Sequence, residues 1–241
     1  MDSTTAGPVT EGPEPPFPDG DPPPPDVRSM IRVNLRPMAT PLPLGYFTVA
    51  IDSTIVSTYQ AGLLPRNAEA AVALVLLPAF VLQIIVGVLA VFCRDATAAT
   101  AMTSFAANWL VETLLYFVHP PQAQKVLGIF LVTFSVFVLL VMLTALSKRA
   151  LAAVLVVAVP RFSVSGVADI TGNVDAAHAG AALGFILAAV SMYAAWALLL
   201  EETRGRAILP IGRRGTALAI QGDLASQLKN IERQPGVRRT L

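Results

Sequence analysis

The chain has 241 residues, of which 54% are hydrophobic and 14% charged; its mean hydropathy is +0.63 and its formal charge +1. The charged fraction lies well below the usual quarter of a globular domain, whereas the net charge says little, because its distribution matters more than its sum. The single cysteine, Cys93, excludes an internal disulfide and a cysteine-based metal cluster.

Residues 1–38 are rich in proline, with Pro13, Pro15, Pro16 and Pro22–Pro25 interspersed with Glu11, Glu14, Asp19, Asp21 and Asp26. Such a segment buries too little apolar area to offset its ordering entropy, so a disordered tether, partly polyproline II, is expected. It contains no apolar core segment, so no cleavable signal peptide is expected.

Six apolar runs follow, near Leu44–Gly62, Ala71–Phe92, Ala98–Val118, Val126–Leu146, Ala150–Gly172 and His178–Leu200. Each is about 20 residues long, and at about 1.5 Å per residue each spans a hydrocarbon core of about 30 Å. The expected fold is an all-α polytopic membrane protein with six transmembrane helices in one domain, residues 39–203. Basic residues are unequally shared between its two sides. Fourteen fall before span 1, in the loops after spans 2 and 4, and in the tail, whereas only Arg66 and Lys125 fall on the other side. The positive-inside rule then predicts both termini to be cytoplasmic, as an even number of spans requires. In the tail, residues 204–241, Leu218, Ile220, Leu224, Leu228 and Ile231 have the spacing of a short amphipathic helix with basic neighbours; a solvated tail is the alternative.

Span 1 is unusual. Proline is tolerated only in a first helical turn, so the helix is expected to begin near Pro43 with its positive dipole end on the cytoplasmic side. It then carries Thr48, Asp52, Ser53, Thr54, Ser57, Thr58, Tyr59 and Gln60. So many polar groups suit the wall of a pore or cavity rather than lipid, although hydroxyls can also bond back to their own helix.

Ionisable residues inside spans are costly and are functional candidates by default. Here they are Asp52 in span 1, Glu112 in span 3, and Arg161 and Asp169 in span 5. From the cytoplasmic helix ends, Asp52 is about 12 Å deep, Arg161 about 16 Å and Glu112 about 21 Å, so Arg161 is within vertical reach of both acids. Two readings follow: a structural ion pair that neutralises the guanidinium, or a carboxylate-binding arginine beside an acid that carries a coupling proton. One acid neutralises one arginine, and any further acid must be protonated, hydrated or bound. Small residues crowd spans 3, 5 and 6, including Ala98, Ala101, Ala106, Gly180 and Gly184; these speak for close helix packing rather than a site. His119 and His178 sit at outer span ends without metal-ligand spacing, and no hydrolase, zincin or P-loop pattern occurs. Neither an enzyme, a metal nor a cofactor is expected.

Four short motifs add a resemblance. Thr40-Pro41-Leu42-Pro43-Leu44-Gly45 resembles an N-P-x-P-L-G signature, and Glu202 through Gly212 resembles a closing E-x-x-G-R-x-x-L-P-I-G. Thr103 through Trp109 fits S-Y-G-x-F-W, and Ile170 through Asn173 with His178 fits A-G-N…H. Together they resemble the acetate uptake transporter family, which includes the bacterial succinate–acetate permeases, from about residue 38 to 212.

The resemblance implies a six-helix protomer, assembled as a hexamer, with a pore through each subunit that passes acetate, and in some members succinate, with a proton. By position it implies a path along span 1 from Leu44 through Thr48 to Asp52, past Ser104, with Phe105 as the constriction and Asn173 after span 5. Arg161 is read as the group that attracts the carboxylate. Asp52, Glu112 and Asp169 are the proton-coupling candidates, with Asp52 first. The partners expected are a small monocarboxylate, protons, the bilayer of the cell membrane and further copies of the chain, with no nucleic acid. The chain departs from the family in Thr40, in Phe105-Ala106, and in Asp52, Glu112, Asp169 and Asp175, where neutral residues stand in bacterial members. Those acids keep two alternatives open: a weak base or neutral metabolite in an acid-lined pore, or a membrane interaction protein that does not transport.

Overall fold

The computed structural model describes residues 39–204 and 208–210, apart from the side chain of Arg66. The proline-rich segment and nearly all of the basic tail lie outside the described residues. Among those described there are six α-helices: α1 (Leu42–Gln60), α2 (Glu69–Phe92), α3 (Ala96–Val118), α4 (Ala123–Thr144), α5 (Arg149–Thr171) and α6 (Val174–Arg204), with a 3₁₀ turn at Arg66–Ala68 before α2.

The helix ends follow local chemistry. α1 starts after Pro41, with Pro43 inside its first turn, where the missing N–H has no helical partner to lose. Asp95 caps α3 by accepting from the Ala98 N–H at 2.9 Å, and Asn173 Oδ1 accepts from the Ala176 N–H at 3.0 Å at the start of α6. α3 ends at His119, in the left-handed region at φ 50°, and α5 ends at Gly172, φ 70°. Pro78 and Pro160 lie inside α2 and α5. Pro160 cannot bond the carbonyl four residues back, so α5, though continuous, lacks one backbone hydrogen bond immediately before Arg161.

Each helix packs on the next in sequence, and α6 returns onto α1, closing a ring of six. Both sides of the ring are pinned by polar contacts. At one end Lys148, before α5, pairs with Asp95, before α3, and Cys93 Sγ lies 3.8 Å from the carbonyl of Ala39. At the other end Glu69 of α2 meets Tyr59 of α1 and His119 after α3. The two ends of the described chain therefore share the side of Arg94 and Lys148.

Close approach uses glycine where α4 crosses α5. A Cβ on Gly128 would lie 2.6 Å from the Gly166 carbonyl oxygen, and one on Gly166 would lie 2.6 Å from the Gly128 carbonyl oxygen. Backbone faces backbone, so neither side can yield by a rotamer change. Gly128→Ala should therefore push the two helices apart and destabilise the protein by about 1–3 kcal/mol, the usual cost of overpacking. A lower thermal denaturation midpoint in detergent is the expected result; an unchanged midpoint would refute the contact.

Four helices, α2, α4, α5 and α6, are long and apolar enough to cross a membrane. α1 and α3 have the length, at 19 and 23 residues, but carry more polar groups, several of which turn inward. The outer surface is apolar: Val81, Ile85 and Phe92 on α2, Ile129, Val136 and Leu140 on α4, and Ile186 and Trp196 on α6 are all exposed. Such a surface suits lipid or another protein rather than water.

Candidate functional site: a polar interior between α1, α3 and α5

The three odd-numbered helices meet across the ring. Asp52, Ser53 and Ser57 of α1, Asn108, Glu112 and Thr113 of α3, and Arg161 and Ser165 of α5 are all buried. Arg161 is the single buried cation among the described residues, and it is 4% exposed. Its Nη1 donates to Ser165 Oγ, one turn along α5, and Ser165 Oγ donates across the interior to Gln60 Oε1 of α1 at 3.4 Å.

The ion pairs among the described residues are His119–Glu69 and Lys148–Asp95. Arg161 is in neither, so the direct structural ion pair considered from the sequence is not formed. Its field still reaches Glu112 and Asp169, and Glu112 in turn acts on Asp52. Glu112 is oriented by Asn108, whose Nδ2 donates to Glu112 Oε1 at 2.9 Å. One oxygen on each of Asp52, Glu112 and Asp169 is buried with no protein partner, as are the hydroxyls of Ser53, Ser57 and Thr113. Buried polar atoms are as a rule satisfied by protein or by ordered water, so this concentration in one interior marks a place where water, a proton or a solute belongs.

Gly184 of α6 makes room for this group. A Cβ there would overlap Ser57 Oγ and lie 2.7 Å from Arg161 Nε. Beside the polar groups stands an aromatic cluster. Phe105 of α3 meets Phe134 of α4 and Phe162 of α5 at ring-centroid distances of 5.7 Å each, and Phe134 and Phe162 are 5.0 Å apart. α3 and α5 are not neighbours in the ring, so the contact between Phe105 and Phe162 crosses its interior.

The residues singled out from the sequence thus divide. Asp52, Glu112, Arg161 and Phe105 are buried in the interior, with Asp169 partly buried beside them. Thr48 is buried, but its hydroxyl bonds back to the Gly45 carbonyl at 2.7 Å. Thr54 and Thr58 bond back to Ala50 and Thr54 in the same way, so only part of the α1 hydroxyl set faces the interior. Ser104 is half-buried, Leu44 is 39% exposed on the outward face of α1, and Asn173 is exposed at the end of the bundle, where it caps α6. Sequence reasoning gave no role to Asn108 or Ser165, counted Gln60 only among the polar groups of span 1, and read Gly184 only as close packing. Asn108 and Ser165 were accessible, since each stands one helical turn from an ionisable residue, Glu112 and Arg161; Gln60 and Gly184 belong to the site through contacts between helices. A pocket of about 230 Å³ between the start of α5 and the end of α6, lined by Arg149, Ala153, Tyr193 and Pro210 among others, shares no residue with this interior.

The chain is 26% identical over 182 residues to the Succinate-acetate/proton symporter SatP of Escherichia coli K12, a match covering 73% of this chain and 96% of that protein, and to its Shigella flexneri counterpart to the same degree. A solved structure described as that of the bacterial acetate channel SatP superposes with a TM-score of 0.67 at 24% identity, covering 73% of this chain and 99% of that one. The fold is therefore a six-helix membrane bundle, and the relatives are transporters or channels rather than enzymes. Residues 25–211 match the GPR1/FUN34/yaaH family, and with more than half of its length matched the chain belongs to that family.

Proposed function

We propose that the chain carries a small monocarboxylate, acetate first, through the interior between α1, α3 and α5, together with a proton. The observation that carries this is Arg161: a buried guanidinium with no carboxylate paired to it, set among three acids that each keep an unpartnered oxygen. A cation so placed has donors to offer an entering carboxylate. The acids cannot all remain charged beside a single cation and a bound anion, so the entry of an anion is tied to the uptake of a proton. The names of the relatives agree with this chemistry. In this reading the Arg94–Lys148 side, which carries the ends of the described chain, faces the cytoplasm, and the bilayer is the cell membrane. The aromatic trio at Phe105 constricts the path, and the outward apolar faces of α2, α4 and α6 serve lipid and further copies of the chain.

The test is uptake of labelled acetate into vesicles containing the purified protein. An inward proton gradient should accelerate it, and Asp52→Asn should remove that acceleration while leaving acetate exchange at equal pH. Uptake indifferent to the gradient, with Asp52→Asn behaving like the unmodified protein, would refute coupling. The excess of acids over cations in the interior favours a second reading, a weak base or neutral metabolite as the solute. Inhibition of flux by organic cations but not by short carboxylates would select it.

A further inference from the structure

Three helix ends converge at the end of the bundle opposite Arg94 and Lys148. Tyr59 lies in the last turn of α1, Glu69 opens α2 and His119 follows α3. Glu69 holds all three. One carboxylate oxygen accepts the Tyr59 hydroxyl, and the other faces His119 Nε2. His119 is aimed by its left-handed backbone; its side chain is 52% exposed, whereas that of Glu69 is 24% exposed. One edge of the group therefore meets water.

The opposite edge leads inward. The Tyr59 ring packs edge-on against Tyr116 at a centroid distance of 5.8 Å. Tyr116 stands one helical turn beyond Glu112 on α3 and lies in the fields of Glu112, Asp169 and Arg161. An exposed imidazole, a half-buried carboxylate, two phenols and an interior acid thus follow one another from the outer face to the polar layer. Of these the carboxylate path uses only Glu112, and the aromatic trio uses none.

We propose that His119 and Glu69 are the outer proton-exchange site of this transporter, and that the Tyr59–Tyr116 pair is the barrier between that site and Glu112. The inference rests on the proton-coupled carboxylate reading above. The imidazolium formed on His119 by a proton from solution transfers it to Glu69. An N–H bond breaks and an O–H bond forms, leaving neutral imidazole and a neutral carboxyl group. A neutral carboxyl accepts a hydrogen bond more weakly than a carboxylate, so loading Glu69 loosens its hold on Tyr59 and opens the way for the proton toward Glu112. Lys125 on α4 and Asp175 and His178 on α6 share this end of the bundle, and Arg66 lies in the preceding turn; among the described residues, the groups bonded to the Glu69 carboxylate are Tyr59 and His119.

The hydrogen bond to Glu69, supported by the Phe117 carbonyl, raises the pKa of His119 above its ordinary value. A raised histidine favours the folded mouth while it is protonated, and that contribution is lost as pH rises through the raised value. The contact is thus strongest on the acidic side of neutrality, where an inward proton gradient places the outer solution.

The experiment compares the unmodified full-length protein with Glu69→Gln and His119→Gln in vesicles. Gradient-driven acetate uptake should fall at least about tenfold in both variants, the scale of losing one proton-transfer group, while acetate exchange at equal pH stays within about twofold. Gradient-driven uptake equal to that of the unmodified protein, or exchange lost in proportion to uptake, would overturn the proposal. Tyr59→Phe keeps the ring while removing the bond to Glu69, and should raise proton leak in the absence of acetate; unchanged leak would overturn the barrier. The titration midpoint of His119, followed by NMR on ¹⁵N-histidine protein, should fall in Glu69→Gln, and an unmoved midpoint would deny the pair itself. If the unmodified protein takes up no acetate, the carboxylate reading fails and the coupling role falls with it, whereas the midpoint still decides the pair.

Discussion

Arg161→Gln should lower the initial rate of carboxylate uptake by roughly ten- to a hundredfold. A hydrogen bond to a charged group contributes about 1.5–3 kcal/mol, and about 1.4 kcal/mol corresponds to a factor of ten. Glutamine retains a donor for Ser165, whose contact with Gln60 ties α5 to α1, but it removes the positive charge from an interior that holds Asp52, Glu112 and Asp169. The same change removes the favourable field at Glu112 and Asp169, so the thermal midpoint should also fall. Adding Glu112→Gln to Arg161→Gln should recover much of the midpoint without recovering uptake. Arg161→Lys should be intermediate in uptake, because an ammonium keeps the charge but not the planar fork that meets a carboxylate through two N–H groups. Initial rates across a range of acetate concentrations, with melting curves on the same preparations, check all three variants. Uptake in Arg161→Gln equal to that of the unmodified protein would remove Arg161 from the path.

The second large effect is expected at Phe105. Its ring packs edge-on against Phe134 and Phe162, and it is 2% exposed. Phe105→Ala leaves a gap where three rings met. Carboxylates longer than acetate, such as propionate and butyrate, should then be transported at least about tenfold faster than by the unmodified protein, since a pocket discriminates about 1–3 kcal/mol per methylene. The cost is packing: truncating a buried phenylalanine removes about 3–5 kcal/mol of stability, and the melting curve should show it. Phe105→Leu, which refills most of the volume, should recover stability while keeping part of the relaxed size limit. A size limit unchanged in Phe105→Ala would place the constriction elsewhere, whatever happens to stability.

Much of the bundle was legible before any coordinates. The six apolar runs match α1 to α6 to within a few residues at most ends, because a span is set by the thickness of hydrocarbon and by the period of one helix, both local properties. Pro43 marked the start of α1 because a ring without an N–H fits only there. The far end of α6 was less clear. The apolar run stops near Leu200, but the helix continues through Glu201 and Glu202 to Arg204, since backbone hydrogen bonding continues after hydrophobicity ends.

The candidate site was legible by residue type and not by contact. Charges within apolar runs are conspicuous, so Asp52, Glu112, Arg161 and Asp169 stood out. Leu44 and Asn173, drawn from the motif resemblance, lie on an outward face and at a helix cap, because a motif records position along the chain and not rotation about a helix axis. The hydroxyls of α1 divide between inward Ser53 and Ser57 and the back-bonded Thr48, Thr54 and Thr58, a division set by how the helix is turned.

From its sequence alone, this protein owes the number, length and order of its helices and the acids and the arginine placed among them. Tertiary packing decided that α1, α3 and α5 face one another, that no described carboxylate pairs with Arg161, and that His119 meets Glu69 from fifty residues away. The physical reason is the solvent. In lipid, burying apolar surface does not choose between faces of a helix, so rotation and partner are set by close contacts such as Gly128 on Gly166 and Gly184 beside Arg161, which come into being only when the helices meet.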